Sequence, residues 1–283
     1  MKCLTAAAIL FAASLLSYSQ DHAKQIYDTE RAFERAVAEK GINAGFIEYL
    51  SPLGVMFRPE VVNGREWWKS RPESPAALTW NPIKIEASSN GALAYSIGNS
   101  IYRPKGSSDT AEFYGHYITV WTRQTDGSYR AALDAGIDHP KPSTPEPTWS
   151  AGTPSPVEEN KTNSFAGDSS IGFFQMAESR GLAKAYKAYA VEDVVLMRDG
   201  KLPFVGRGAA GDAVGEVKLA IKFPKRRSFI EAGNLAYVYS TYTLVDKEGV
   251  EKEKGNFVQV WKLRGGKWLI AADMFLPILP PKS

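Results

Sequence analysis

The chain is written twice, and that constrains it more than any other feature. Gly115-His116-Tyr117-Ile118-Thr119-Val120-Trp121 returns, 140 residues later, as Gly255-Asn256-Phe257-Val258-Gln259-Val260-Trp261. Both stretches alternate polar and apolar residues over a strand's length, and both pass through a Gly turn into a second strand, Tyr129 to Asp134 or Trp268 to Asp273. A hairpin made twice requires each half to close a core of its own. The surrounding segments repeat with it: Gly91 to Tyr95 answers Gly233 to Tyr237, and Val55 to Arg58 answers Val194 to Arg198, at offsets that stay between 139 and 142. Two copies are too few for a solenoid, so the pattern is a tandem duplication.

Composition agrees with two domains. Of 283 residues, 44% are hydrophobic and 23% charged, which is enough apolar material for a core in each half. A net charge of +3 gives no reason to expect a nucleic acid partner. Lys2, the apolar run Leu4 to Leu16 and the small-x-small site Ser17-Tyr18-Ser19 read as a signal peptide over 1-19, which implies an exported protein, periplasmic or secreted, at a bacterial envelope. The run is shorter than the ~20 residues a spanning helix needs, so no membrane association is expected once the leader is cut. Cys3 is the only cysteine and would leave with the leader, so disulfides, thiolate metal sites and cysteine nucleophiles are excluded from the mature chain.

The first domain is expected over 20-139. Ile26, Phe33, Ala36 and Val37 recur at helical spacing, Gly41 ends that helix, and Ile42, Phe46, Tyr49 and Leu50 mark a second, short one. Val55 to Arg58 is a brief strand and Glu66 to Lys69 a third helix. Strands alone follow. Residues 140-167 hold Pro140, Pro142, Pro145, Pro147, Pro154 and Pro156 among polar neighbours and read as an extended interdomain linker. The second domain, 168-283, repeats the plan. Phe173 to Gly181 mirrors Phe33 to Gly41, and Tyr186 and Tyr189 stand for Phe46 and Tyr49.

Each half resembles the nuclear-transport-factor-two-like superfamily, with its SnoaL-like and ketosteroid-isomerase-like members. The residues that carry the resemblance are the Gly-Arg turns Gly64-Arg65 and Gly206-Arg207, the Gly-x-x-x-x-Val-Trp strands, and the strands reaching Asp134 and Asp273. It implies an α+β fold of two tandem cones, each a set of helices packed in a strongly curved antiparallel sheet with a pocket at the wide end. Members often pair through the outer face of the sheet, which implies an intramolecular pseudo-dimer of the two domains, or a homodimer. The resemblance speaks to fold far more than to function, since the superfamily holds enzymes, binding modules and assembly domains.

The candidate catalytic residues are Asp134 and His116. Histidine titrates near neutrality, and a carboxylate among Ala and Leu has its pKa raised by burial. The plainer readings are a polar strand end for His116 and, for Asp134 and Asp273, a structural partnership with Arg58 and Arg198. Arg58, Tyr95, Tyr117, Trp121, Arg198, Tyr237, Asn256 and Asp273 are the expected ligand-contacting set, aromatic surface with a few polar groups. Alternation places His116, Ile118 and Val120 on one face and Tyr117, Thr119 and Trp121 on the other, leaving open which face lines the cone. His22, His116 and His139 are too scattered in sequence to suggest a metal, and no cofactor motif is present. Three readings remain: a binding protein for an apolar or aromatic small molecule, which is favoured; an isomerase, lyase or hydrolase using Asp134 with His116; and an assembly module with filled pockets.

Overall fold

Both copies open with two helices hinged at a glycine. In the computed structural model, which describes residues 2–149, 164–215 and 219–278 with side chains from residue 21 onward, α1 (Lys2–Lys40) and α2 (Ile42–Tyr49) meet at Gly41, and α4 (Ala166–Arg180) and α5 (Leu182–Tyr189) meet at Gly181. These two glycines adopt φ of 86° and 87°, a backbone region that side chains with a Cβ disfavour. The turn angle is therefore set by the residue type. The expected leader lies in the first half of α1, outside the described side chains. Residues 150 to 163 of the expected linker also lie outside the described residues.

After the helix pair the first copy runs β1 (Leu50–Phe57), β2 (Val61–Asn63), α3 (Gly64–Lys69), β3 (Ala77–Ala87), β4 (Leu93–Arg103), β5 (Phe113–Arg123) and β6 (Tyr129–His139). Asn63 caps α3 by accepting from the Glu66 amide at 3.1 Å. The second copy runs β7 (Ala190–Arg198), β8 (Phe204–Val205), α6 (Arg207–Gly215), β9 (Ala220–Lys222), β10 (Ser228–Ala232), β11 (Leu235–Val245), β12 (Glu251–Arg264) and β13 (Lys267–Pro277).

The sheet orders are β2-β1-β6-β5-β4-β3 and β10-β11-β12-β13-β7-β8, with β9 on β11. The fold is thus the α+β tandem expected, with one correction. The sheets are mixed, because β1 lies parallel to β6 and β7 parallel to β13. β1 reaches β6 only through β2, α3 and the antiparallel run β3–β5, and β7 reaches β13 only through β8, α6 and β9–β12, so each parallel pair is closed by a long connection and not by a hairpin.

Three apolar layers hold the molecule together. Phe33, Phe46, Trp80 and Trp121 anchor the core inside the first cone, and Phe173, Tyr186, Phe257 and Trp261 anchor that of the second. The third lies between the two sheets, where Tyr95, Ile97, Ile118, Val120 and Leu133 face Tyr237, Val258, Val260 and Met274. Each sheet is therefore buried on both faces. Charged groups rim this middle layer: Lys262 Nζ lies 3.0 Å from Glu86, and Lys84 Nζ 3.0 Å from Asp193.

The described part of the linker is not a free tether. The Trp149 amide donates to the Pro82 carbonyl at 2.8 Å, and its ring stacks on Tyr27 with centroids 5.0 Å apart. Residues 140 to 149 form a strap bound to the first domain.

Candidate functional site

The two cones differ in what fills them, and the register shows where. On the inner face of the first hairpin Tyr117 opposes Gly136; at the same place in the second, Phe257 opposes Phe275. The Phe275 ring sits 5.5 Å from Phe257 and 4.6 Å from Tyr242, and it carries the Arg198 guanidinium at 4.3 Å. Gly136 supplies no side chain. A cavity of about 340 Å³ remains in the first cone, lined by Phe33, Trp80, Phe113, Tyr117, Gly136 and a set of polar groups.

Glu30 is the deepest of those groups. It sits on the same stripe of α1 as Ile26 and Phe33, and only 1% of it is exposed. Trp80 Nε1 donates to it at 2.7 Å, and Ser96 Oγ donates to its other oxygen while accepting from Trp121 Nε1 at 2.8 Å. Burial outweighs these donors and, helped by the charge of Asp134, pushes the Glu30 pKa up to about 7. Asp134 accepts from Thr119 Oγ1 at 2.7 Å. Burial raises its pKa too, opposed by that bond and by Arg58. The Tyr117 hydroxyl, buried in the cavity wall beside Glu30, makes no hydrogen bond of good geometry. Burial and the nearby Glu30 charge hold its pKa well above the usual phenol range. The cavity therefore collects a carboxyl that titrates near neutrality, a second raised carboxyl and a buried phenol against aromatic walls.

The corresponding groups of the second cone are consumed internally. Asp273 is fully buried and accepts from Tyr186 Oη at 2.7 Å, Gln259 Nε2 at 2.8 Å and Arg198 Nη1 at 2.6 Å. Ser170 occupies the place of Glu30 and Val238 that of Ser96. Trp261 Nε1 is correspondingly left without the partner that Trp121 has.

The expected site residues divide among three places. Asp134, Arg58 and Tyr117 line the first cavity, with Trp121 buried beneath them through its bond to Ser96. Arg198 and Asp273 form the closed network of the second cone. His116, Tyr95, Tyr237 and Asn256 face the layer between the sheets, so the expected contact of these four with a cone ligand is not found. Tyr95 and Tyr237 are packed there as core. The Asn256 amide donates to the Pro59 carbonyl of the first domain.

The pairing of His116 with Asp134 as acid and base is likewise absent, because Asp134 is registered with Thr119 and so lies on the opposite face from His116. His116 Nδ1 lies 2.7 Å from His139 Nε2, whose Nδ1 is 2.8 Å from the Pro140 carbonyl, and His116 Nε2 lies 2.9 Å from Glu146 of the strap. Burial and the neighbouring His139 lower the His116 pKa to about 4. It anchors the strap. Neither Asp134 nor Asp273 ends a strand, since β6 and β13 continue to His139 and Pro277.

Glu30, Thr119 and Asp138 were missed in the sequence. The signal for Glu30 was a carboxylate on an otherwise apolar helix stripe. For Asp138 it was the alternation that runs on through Ala135, Gly136 and Ile137.

No protein-family model matches the sequence, and no curated protein matches it. Among solved structures, the chain is similar to a ketosteroid isomerase-like protein from Erwinia carotovora atroseptica, with 21% identity over 41% of this chain and 95% of that one and a TM-score of 0.34. It is similar to an NTF2-like protein of unknown function from Pseudomonas putida, with 17% identity over 41% and 93% and a TM-score of 0.34. An NTF2-like protein with a cystatin-like fold from Novosphingobium aromaticivorans matches at 12% identity over 39% and 78%, with a TM-score of 0.34.

Proposed function

We propose that the first cone binds an apolar or aromatic small molecule carrying a polar group, and that the second cone is a filled copy kept for its structure. One exchange carries this reading: the position that is Phe275 in one hairpin is Gly136 in the other, and the hollow it leaves is bordered by Glu30, Asp134 and the Tyr117 hydroxyl. Gly136→Phe copies the plug. A screen of small aromatic compounds by thermal shift is expected to find ligands that stabilise the natural chain and not this variant. Equal stabilisation of both would overturn the reading.

A second reading, proton transfer on the bound molecule, is favoured by Glu30, whose pKa of about 7 suits an acid or base at neutral pH. Its pair is Glu30 with Asp134, not His116. If it holds, Glu30→Gln lowers turnover by about 10²- to 10⁴-fold while ligand binding is retained.

We also infer export, on the strength of the apolar leader over residues 4 to 16. A mature protein whose mass begins at Gln20 is the expected result when the full chain is expressed in a bacterial host.

A further inference from the structure

The cavity of the first cone is bordered by four carboxylates and one guanidinium. Glu30 and Asp134 lie deep, Asp138 and Asp199 are exposed at the opening, and Arg58 is the lone cationic lining residue. None of the four carboxylates has a lysine, arginine or histidine nitrogen within 4.0 Å among the described residues. Asp199 comes from the second domain. Its Oδ1 accepts from the Asp138 amide at 3.1 Å, and the Gly200 amide donates to the Asp138 carbonyl at 2.8 Å. These two bonds tie the β7–β8 turn to the end of β6, so Asp199 is held at the first cavity by its own carboxylate and by the Gly200 amide.

We propose that the molecule bound in the first cone is a protonated amine on an apolar or aromatic body, and that the second domain completes its site through Asp199. This rests on the reading of that cone as a ligand site and states the ligand's chemistry. Carboxylates with no counter-ion, in a cavity walled by Phe33, Trp80 and Phe113, leave a place for one positive charge: it meets acceptors on one side and ring faces on the other. An anion would face Asp138 and Asp199 at the opening and two more carboxyls within, against the single guanidinium of Arg58. A neutral ligand would leave the two acids at the opening uncompensated.

The Tyr117 hydroxyl, on a residue only 8% exposed and without a hydrogen bond of good geometry, points independently to a polar group expected in the cavity. Among the described residues no three acids or histidines converge as ligands for a metal ion, so the geometry suits a diffuse organic cation and not a divalent one.

The test is calorimetry on the full chain with 2-phenylethylamine, 2-phenylethanol and 3-phenylpropanoate. The amine is expected to bind about tenfold or more tightly than the alcohol, the margin of a charged over a neutral hydrogen bond, and the acid least. Asp134→Asn and Asp199→Asn should each reduce that preference severalfold. Amine and alcohol binding equally, with both lost in Gly136→Phe, overturns the inference while the ligand site stands. A preference that survives both Asn variants, or tightest binding of the acid, also overturns it. Failure of all three probes overturns the inference and the ligand site together.

Discussion

Arg198 and Asp273 meet at 2.6 Å in the second cone, whereas Arg58 and Asp134, their counterparts in the first, form no salt bridge. The same two residue types thus serve different ends, and their neighbours decide which. Tyr186 and Gln259 complete the shell around Asp273 where the first copy has Phe46 and Thr119. Asp273→Asn would leave a largely buried guanidinium without its anion, and a loss of about 3–5 kcal/mol is expected in denaturant unfolding. Asp134→Asn should cost less, because burial disfavours the charge there and no salt bridge is broken.

Phe275 is the plug of the second cone and contacts Phe257, Tyr242 and the Arg198 guanidinium. Phe275→Ala is expected to cost about 3–5 kcal/mol through lost contacts and the cavity left behind. Gly136→Phe places a ring in the cavity but sets its Cβ 3.3 Å from the His116 carbonyl oxygen, and it should change stability less. Thermal melts of the two variants side by side check the asymmetry.

Glu30 makes stability depend on pH. Its carboxyl titrates near 7 when folded against an ordinary value of 4.5. Below the lower value both states hold the proton; between the two, only the unfolded chain releases it. The contribution is therefore complete in acid, is lost as pH rises through this window, and amounts to about 3 kcal/mol. Glu30→Gln should flatten this part of the profile, as measured by urea unfolding from pH 4 to pH 8.

Lys262 and Glu86 join the two sheets, with side chains 8% and 11% exposed. Burial pushes the Glu86 carboxyl up, but Lys84 and Lys262 more than offset this, so its pKa lies below the usual range. Lys262→Met leaves the carboxylate with Lys84 alone, at 3.4 Å, beside an apolar layer, and a loss of about 1–3 kcal/mol is expected. Adding Glu86→Gln should recover most of it. A double-mutant cycle reads the coupling.

Much of the fold was legible because it depends on local spacing. Gly41 and Gly181 mark the helix hinges by their place after an apolar stripe, and the alternation through Tyr117, Thr119 and Trp121 shows that these three share a face. The site was legible only in part. Asp134, Arg58 and Tyr117 were found, while His116, Tyr95, Tyr237 and Asn256 were assigned to a cone they turn away from. Polarity cannot tell two faces of a strand apart when both are buried, and here one is covered by the strand's own helices and the other by the second copy.

The order of residues by itself determined that there are two copies, where their opening helices and central hairpins fall, and which side chains lie on a common face, since each of these follows from near neighbours along the chain. Which face encloses the cavity, which copy stays hollow, and that Asp199 of one domain borders the cavity of the other were decided by tertiary structure. The reason is reach: Gly136 opens a space only because Glu30, Tyr117 and Asp199 converge on it from positions distant in the chain, and no local period records that convergence.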